Sequence, residues 1–199
     1  SLTLALQVAA ILAIVVTLGF FIVLEDPTVF WSDVLTRLSA FFAEMGLHEQ
    51  ADLLATQKAL LAPQMTMVVV SSSWSIVVLV LALGYALYRT LPDKSALFGR
   101  FCDLNFGRVL ALTMAVTSVT AVFVGAAWLQ NVAFVAFVIF WVQGLAIVHW
   151  LHVERRLHML VVIGLYALIF LLNALIVVGL AALGYIDAWF DFRNRKKRA

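Results

Sequence analysis

Charged residues divide the chain into long apolar runs. Leu2 to Leu24 carries no Asp, Glu, Lys or Arg, and Glu25-Asp26-Pro27 closes it. Met65 to Tyr88 is also free of charge and ends at Arg89. Val109 to Val153 is a charge-free run of 45 residues, and Leu157 to Ile186 is another of 30, closed by Asp187. A membrane helix needs about 20 apolar residues to cross about 30 Å of hydrocarbon. The 45-residue run is roughly twice that length, so it predicts two helices joined by a turn at Trp128-Leu129-Gln130-Asn131. About five hydrophobic segments result. Lipid offers an open strand edge no hydrogen-bond partner, so all five are predicted as helices. Period-2 alternation, the mark of barrel strands, is absent. The pattern predicts an all-α fold, a polytopic transmembrane helical bundle forming a single domain over residues 1–199.

The stretch 26–64 is patterned differently. Together with Glu25 it holds six of the eleven acidic residues, among them Asp26, Asp33, Glu44, Glu49 and Asp52. Val34, Leu38, Phe41, Phe42 and Met45 recur at helical spacing. Gly46 suits a helix stop, and a second short helix fits from about His48 to Leu61, before Pro63. These are amphipathic helices that either lie on the membrane or pack over the bundle; the plainer alternative is a connecting loop.

Composition narrows the class. The chain is 65% hydrophobic and only 12% charged, with mean hydropathy +1.08, whereas a soluble domain is about 45–50% apolar and about 25% charged. There are too few charges to clothe a water-exposed surface, so the solvent is a lipid bilayer. Disorder, coiled coils and nucleic-acid-binding arms are excluded by the same comparison. The single cysteine, Cys102, leaves no intramolecular disulfide. No phosphate-binding glycine loop, dinucleotide fingerprint, zinc-protease helix or Cys-x-x-Cys pair occurs. No catalytic residue and no cofactor is predicted, and the expectation is a protein that is not an enzyme. The run starting at Leu2 has no basic region before it, unlike an intact signal peptide, and a further upstream part is expected.

Basic residues in short loops mark the cytoplasmic side. Arg89, Lys94, Arg100 and Arg108 fall in one loop and Arg155 and Arg156 in another, whereas 26–64 has only Arg37 and Lys58 and the 128–131 turn has none. This places 89–108 and 154–156 inside, with 26–64 and 128–131 outside. A single crossing from 157 to 186 then carries Arg193, Arg195, Lys196, Lys197 and Arg198 outside, against the rule. Either that segment is one long tilted helix, or it bends back near Asn173 and returns the tail inside.

Polar groups within apolar runs are costly unless they face protein or a cavity. Ser72 in the Ser71-Ser72-Ser73 run, Trp74, Trp141, Gln143 and Asn173 are candidates for an aromatic-lined pocket holding a small polar solute; otherwise they make interhelical hydrogen bonds. Thr113, Thr117, Ala121 and Gly125 recur every four residues, as do Ala5, Ala9 and Ala13. Such small-residue stripes serve close helix packing, within the bundle or against a partner subunit. His149 and His152 share a helical face, the arrangement of weak zinc candidates, although interfacial histidines are ordinary. Asp187, Trp189, Phe192 and Arg193 read as an interfacial anchor continued by a basic tail over 187–199.

Three blocks resemble the YybS-like bacterial membrane proteins, a family of unknown function. They are Tyr85-Ala86-Leu87-Tyr88-Arg89 leading to Phe106-Gly107-Arg108, the stretch Phe140-Trp141-Val142-Gln143-Gly144-Leu145-Ala146-Ile147-Val148-His149, and the closing Gly184-Tyr185-Ile186-Asp187-Ala188-Trp189-Phe190-Asp191-Phe192-Arg193. The family is distantly similar to the substrate-binding components of energy-coupling-factor transporters. The resemblance implies a multi-pass protein of the bacterial cytoplasmic membrane, with extra spans upstream. It also implies a bundle that captures a solute and docks on other membrane subunits, with Ala5, Ala9 and Ala13 resembling a docking face. The function expected is thus a transport-related solute-binding subunit without catalysis, or alternatively a scaffold subunit of a membrane complex; nucleic acid is not a partner.

Overall fold

The computed structural model describes residues 1–88, 90 and 99–195, side chains at 172, 173, 194 and 195 aside. Helix α1 (Leu2–Leu24) is capped by Ser1, whose Oγ accepts the Leu4 N–H at 3.2 Å. Helix α2 (Pro27–Glu44) follows at once: Asp26 Oδ1 accepts the Thr28 N–H, and Pro27 occupies the first turn, where a missing N–H costs nothing. Gly46, at φ 80°, turns the chain into α3 (His48–Leu61). Pro63 lies within a tight 3-10 turn (Ala62–Gln64) that leads into α4 (Met65–Tyr88). Next come α5 (Gly107–Val124), α6 (Ala127–Val153), α7 (Met159–Phe190) and the single turn α8 (Phe192–Arg195). Every described element is helical, and four stretches are long and apolar enough to cross a membrane: α1, the continuous run His48–Tyr88 that ends in α4, α5 and α6. The chain is a multi-pass membrane protein.

The α5–α6 turn comes earlier than the polar tetrapeptide predicts. Gly125 adopts φ 67°, and its N–H bonds to the Ala121 carbonyl at 2.9 Å, ending α5. A left-handed residue after the last helical turn is where glycine is favoured most, because it has no Cβ to clash. Trp128 to Asn131 therefore begin α6. Asn131 is buried and ties that end together: its Oδ1 accepts the Met67 N–H at 2.8 Å, and its Nδ2 donates to the Ala127 and Pro63 carbonyls.

Helix α6 is the axis of the bundle. More than half of its apolar span is buried, with Val132, Val135, Ile139, Phe140, Gln143 and Ala146 nearly inaccessible. Against it packs α1 through Leu6, Ala10 and Ile14, and α4 through Val70, Trp74 and Val78. Helices α2 and α3 form a hairpin over the end where α1 finishes and α4 starts, around Trp31, Leu35 and Ala62. The Trp31 indole donates to Thr66 Oγ1 at 2.8 Å and stacks on Phe20.

Helix α7 folds back on itself. His152 Nδ1 bonds to the Leu157 carbonyl at 3.0 Å, which fixes the start of α7 at the C-terminal end of α6. Just past its other end, Arg193 bonds to the Cys102 carbonyl, and the neighbouring Phe101 ring lies 5.7 Å from His149. A straight 32-residue helix is about 48 Å long, so its two ends cannot both lie beside the last turns of α6. The reversal falls between Tyr166, which touches the His149 ring, and Leu180, which touches Gly144. The whole of α7, Met159–Phe190, is one run of 32 helical residues, so the bend lies within a continuous helix. Asn173, the residue where the sequence places a bend, has its side chain outside the described residues. The fold-back returns Arg193 to the end of the bundle that carries Arg100, Arg108, Arg155 and Arg156, which removes the charge conflict of a fifth crossing. Arg89, Lys94, Lys196, Lys197 and Arg198 lie outside the described residues.

The second arm of α7 reaches α6 through two glycines. A Cβ at Gly184 would lie 2.0 Å from the Phe140 carbonyl oxygen, and one at Gly144 would lie 2.0 Å from that of Leu180. Backbone meets backbone there, which only glycine allows. Gly164 has open space around it. Gly184→Ala is expected to destabilise the protein by about 3 kcal/mol, the upper part of the overpacking range because the clash is with backbone. Gly164→Ala should be neutral or mildly stabilising. Thermal unfolding of both variants in detergent separates them, and equal midpoints would contradict the crossing.

Candidate functional site

Two features concentrate polar chemistry within the apolar bundle. The first is the irregular segment between α4 and α5. Arg100 pairs with Asp103 at 2.9 Å across a 3-10 turn (Phe101–Asp103), and Cys102, Leu104 and Phe106 are then almost fully buried. Non-helical backbone is tolerated among apolar helices only where protein groups satisfy it. Side chains distant in sequence do so here. Arg193 donates from Nη1 to the Cys102 carbonyl at 2.7 Å and from Nη2 to the Leu104 carbonyl at 2.5 Å. Gln143 Oε1 accepts the Phe106 N–H at 2.8 Å, and Gln7 Nε2 donates to the Asn105 carbonyl at 2.8 Å. Asn105 Oδ1 accepts the Gly107 N–H, and its Nδ2 approaches Asp191 Oδ1 at 3.4 Å.

Asp187 balances the buried guanidinium. Its Oδ2 accepts from Arg193 Nη2 at 2.6 Å and from Gln143 Nε2 at 3.0 Å, while its Oδ1 has no partner among the described residues. Both charged groups are out of solvent, Asp187 at 0% and Arg193 at 6% exposure. The pair is neutral as a unit, and both ends of the Gln143 amide are engaged. The arrangement fastens the chain; its guanidinium and carboxylate are committed to one another.

The second feature is an open groove of about 780 Å³ between α4, α6 and α7, referred to below as the cavity. Ser71, Ser72 and Ser75 form a polar strip along its α4 wall, faced by Phe134, Phe137 and Trp141 from α6 and by Ala174 and Val177 from α7. The Ser71 and Ser75 hydroxyls donate to helix carbonyls one turn back, while Ser72 is exposed to the cavity. The Trp141 indole N–H has no acceptor among the described residues.

The structure thus separates the residues that the sequence groups as one pocket. Ser72 and Trp141 line the same cavity. Trp74 is buried on another face of α4, its ring 6.0 Å from Phe106, and borders a smaller apolar groove with Ala9 and Ala13. Gln143 belongs to the buried network, and the Asn173 side chain lies outside the described residues. Ala5 is exposed, Ala9 half-buried and Ala13 buried, along the seam of α1 with α4. Thr113 and Thr117 bond to the Val109 and Thr113 carbonyls, Ala121 is buried, and Gly125 is a helix terminator rather than a packing position. Asp187 and Arg193 point inward instead of standing at a lipid interface. Trp189 is half-buried beside Tyr185, and Phe192 is exposed and stacked on Phe190. His149 Nδ1 bonds to the Leu145 carbonyl, and its other nitrogen lies 3.5 Å from the Tyr166 hydroxyl. Among the described residues no group of three His, Cys, Asp or Glu is placed to hold a metal.

Gln7, a polar group within an apolar run, meets the expectation that such groups face protein, whereas sequence reasoning misses the glycine crossing. The pairing of Gly144 with Gln143, directly beside an amide in an apolar run, is the one local signal that marks a close approach. No protein-family model, curated protein or solved structure matches the chain.

Removing Arg193 leaves Asp187 buried without its counter-charge and two carbonyls without donors. Breaking such a pair costs about 3–5 kcal/mol. Arg193→Ala is therefore expected to lower the thermal midpoint sharply. The double variant Arg193→Ala with Asp187→Leu should recover part of that loss, because no uncompensated charge is left buried; a double variant as unstable as the sum of the two singles would argue against the pairing.

Proposed function

We propose that the chain is a non-catalytic subunit of the bacterial cytoplasmic membrane that holds a solute in the cavity between α4, α6 and α7. The observation that carries this reading is the concavity itself: about 780 Å³, bordered by α4, α6 and α7, with a serine strip in otherwise carbon-rich walls. Ligand sites are mostly apolar concavities with a few placed polar groups, and this one has that character. The lining favours a ligand with a largely apolar body and one or two hydrogen-bonding groups over the small polar solute that the sequence alone points to. The clustering of Arg100, Arg108, Arg155, Arg156 and Arg193 at one end supports a cytoplasmic placement of that end. Transport and docking on other subunits rest on the family resemblance.

Ser72 and Ala174 are exposed to the cavity, so enlarging them fills it without disturbing the core. Purified from native membranes into nanodiscs, the unmodified protein is expected to retain a small molecule in near-stoichiometric amount. Ser72→Phe and Ala174→Phe should reduce it at least tenfold with unchanged thermal midpoints. Mass spectrometry of extracted small molecules, together with intact-complex masses, reads ligand and partner subunits in one experiment. Equal ligand content in filled and unfilled proteins, or none in either, would sink the proposal.

A further inference from the structure

The apolar face of α2 is one continuous stripe of which the chain covers only part. At 100° per residue, Trp31, Leu35, Leu38, Phe41 and Met45 fall within an arc of about 120°. Asp33, Thr36, Arg37, Ala40 and Glu44 lie on the opposite side of the helix. The N-terminal half of the stripe is buried: Trp31 is 8% and Leu35 3% exposed, against Phe20 of α1, Met65 and Val69 of α4, and Leu54 and Leu61 of α3. The continuation of the same stripe is open, with Leu38 38%, Phe41 52% and Met45 61% exposed.

The reason lies in where α2 is pinned. Trp31 is fastened to Thr66, in the first turn of α4, and to Phe20, near the last turn of α1. Both partners belong to membrane-crossing helices, so the pin sits at the edge of the hydrocarbon layer. Beyond it, the second half of α2 continues the stripe with Leu38, Phe41 and Met45 uncovered. Ile22 and Val23, each 78% exposed on the last turn of α1, carry the lipid-facing belt up to that level. The medium adjoining the rim at that depth is the boundary of acyl chains and headgroups, and an amphipathic helix with an uncovered apolar side rests there.

We propose that the second half of α2 lies in the plane of the bilayer, with Leu38, Phe41 and Met45 seated among the acyl chains of the leaflet at the acidic end of the bundle. Burial of apolar surface drives the seating. The 26–64 stretch has more carboxylates than basic groups, so attraction to anionic lipid plays no part, and a neutral phosphatidylcholine leaflet suffices.

The test uses the full chain in phosphatidylcholine vesicles with a nitroxide attached at Phe41→Cys, at Met45→Cys, or at Ala40→Cys on the opposite side of α2. The unsubstituted chain measures stray labelling, because Cys102 is buried. Collision with oxygen, which concentrates in lipid, is compared with collision by a water-soluble nickel chelate. Positions 41 and 45 are expected to favour oxygen and position 40 to favour nickel, unchanged by molar salt. All three substituted side chains are exposed or partly so, and two independent positions on the stripe guard against a local failure to fold. Nickel reaching 41 and 45 as freely as 40 would mean the stripe stays in water. Exclusion of both reagents from 41 and 45 would mean another protein covers it. Either result overturns the proposal.

Discussion

A stretch of irregular backbone buried at Cys102, Leu104 and Phe106 is the most demanding part of this protein, and the guanidinium of Arg193 is what makes it tolerable. Carbonyls at Cys102 and Leu104 are buried among apolar helices, where an unpaired polar group is costly. Arg193 supplies donors to both and is itself neutralised by Asp187, whose other hydrogen bond comes from Gln143. Gln143 in turn accepts the Phe106 N–H, so one chain of contacts joins the C-terminal end of α7, the middle of α6 and the entry to α5. Each member is held by the next, and loss of one leaves a buried polar group on its neighbours.

That network depends on α7 reversing direction. Only because its second arm crosses α6 at Gly144 and Gly184 does Asp187 come beside Gln143, and only glycine there lets the two backbones approach closely enough. The same reversal leaves a space between the arms and α4, and the serine strip and Trp141 border that space. The cavity and the clamp are two consequences of one bent helix, the first on the side where its arms diverge, the second where its end is drawn in.

Much of the architecture was legible from charge-free runs and helix breakers. Leu2–Leu24 and Met65–Tyr88 coincide with α1 and α4, and Pro27, Gly46 and Pro63 punctuate the α2–α3 hairpin as their backbone preferences dictate. These features are local, so the sequence carries them directly. The α5–α6 turn was displaced because Gly125 fits a small-residue stripe and a helix stop equally well by spacing, and only its left-handed φ separates the two. The inward turn of Asp187 and Arg193 was not legible. Near the end of an apolar run such residues read as an anchor, and their partners lie 44 and 91 residues away. Ser72, Trp74, Trp141 and Gln143 are all polar-capable residues in spans, but helical rotation aims them at different neighbours, which periodicity fixes only once the packing partners are known.

The order in which the clamp is made has a consequence for synthesis. The ribosome delivers Cys102 and Leu104 well before Arg193, and α5, α6 and both arms of α7 must emerge in between. Through that interval the Cys102 and Leu104 carbonyls lack the donor they have in the folded protein, so the segment has to wait at the watery edge of the membrane or in a hydrated insertion channel. Its descent into the bundle is then a late, post-insertion event, drawn in by the arginine that arrives last. Nascent chains halted anywhere short of that arginine would hold their helices in lipid while leaving this short stretch open to proteases at the basic end.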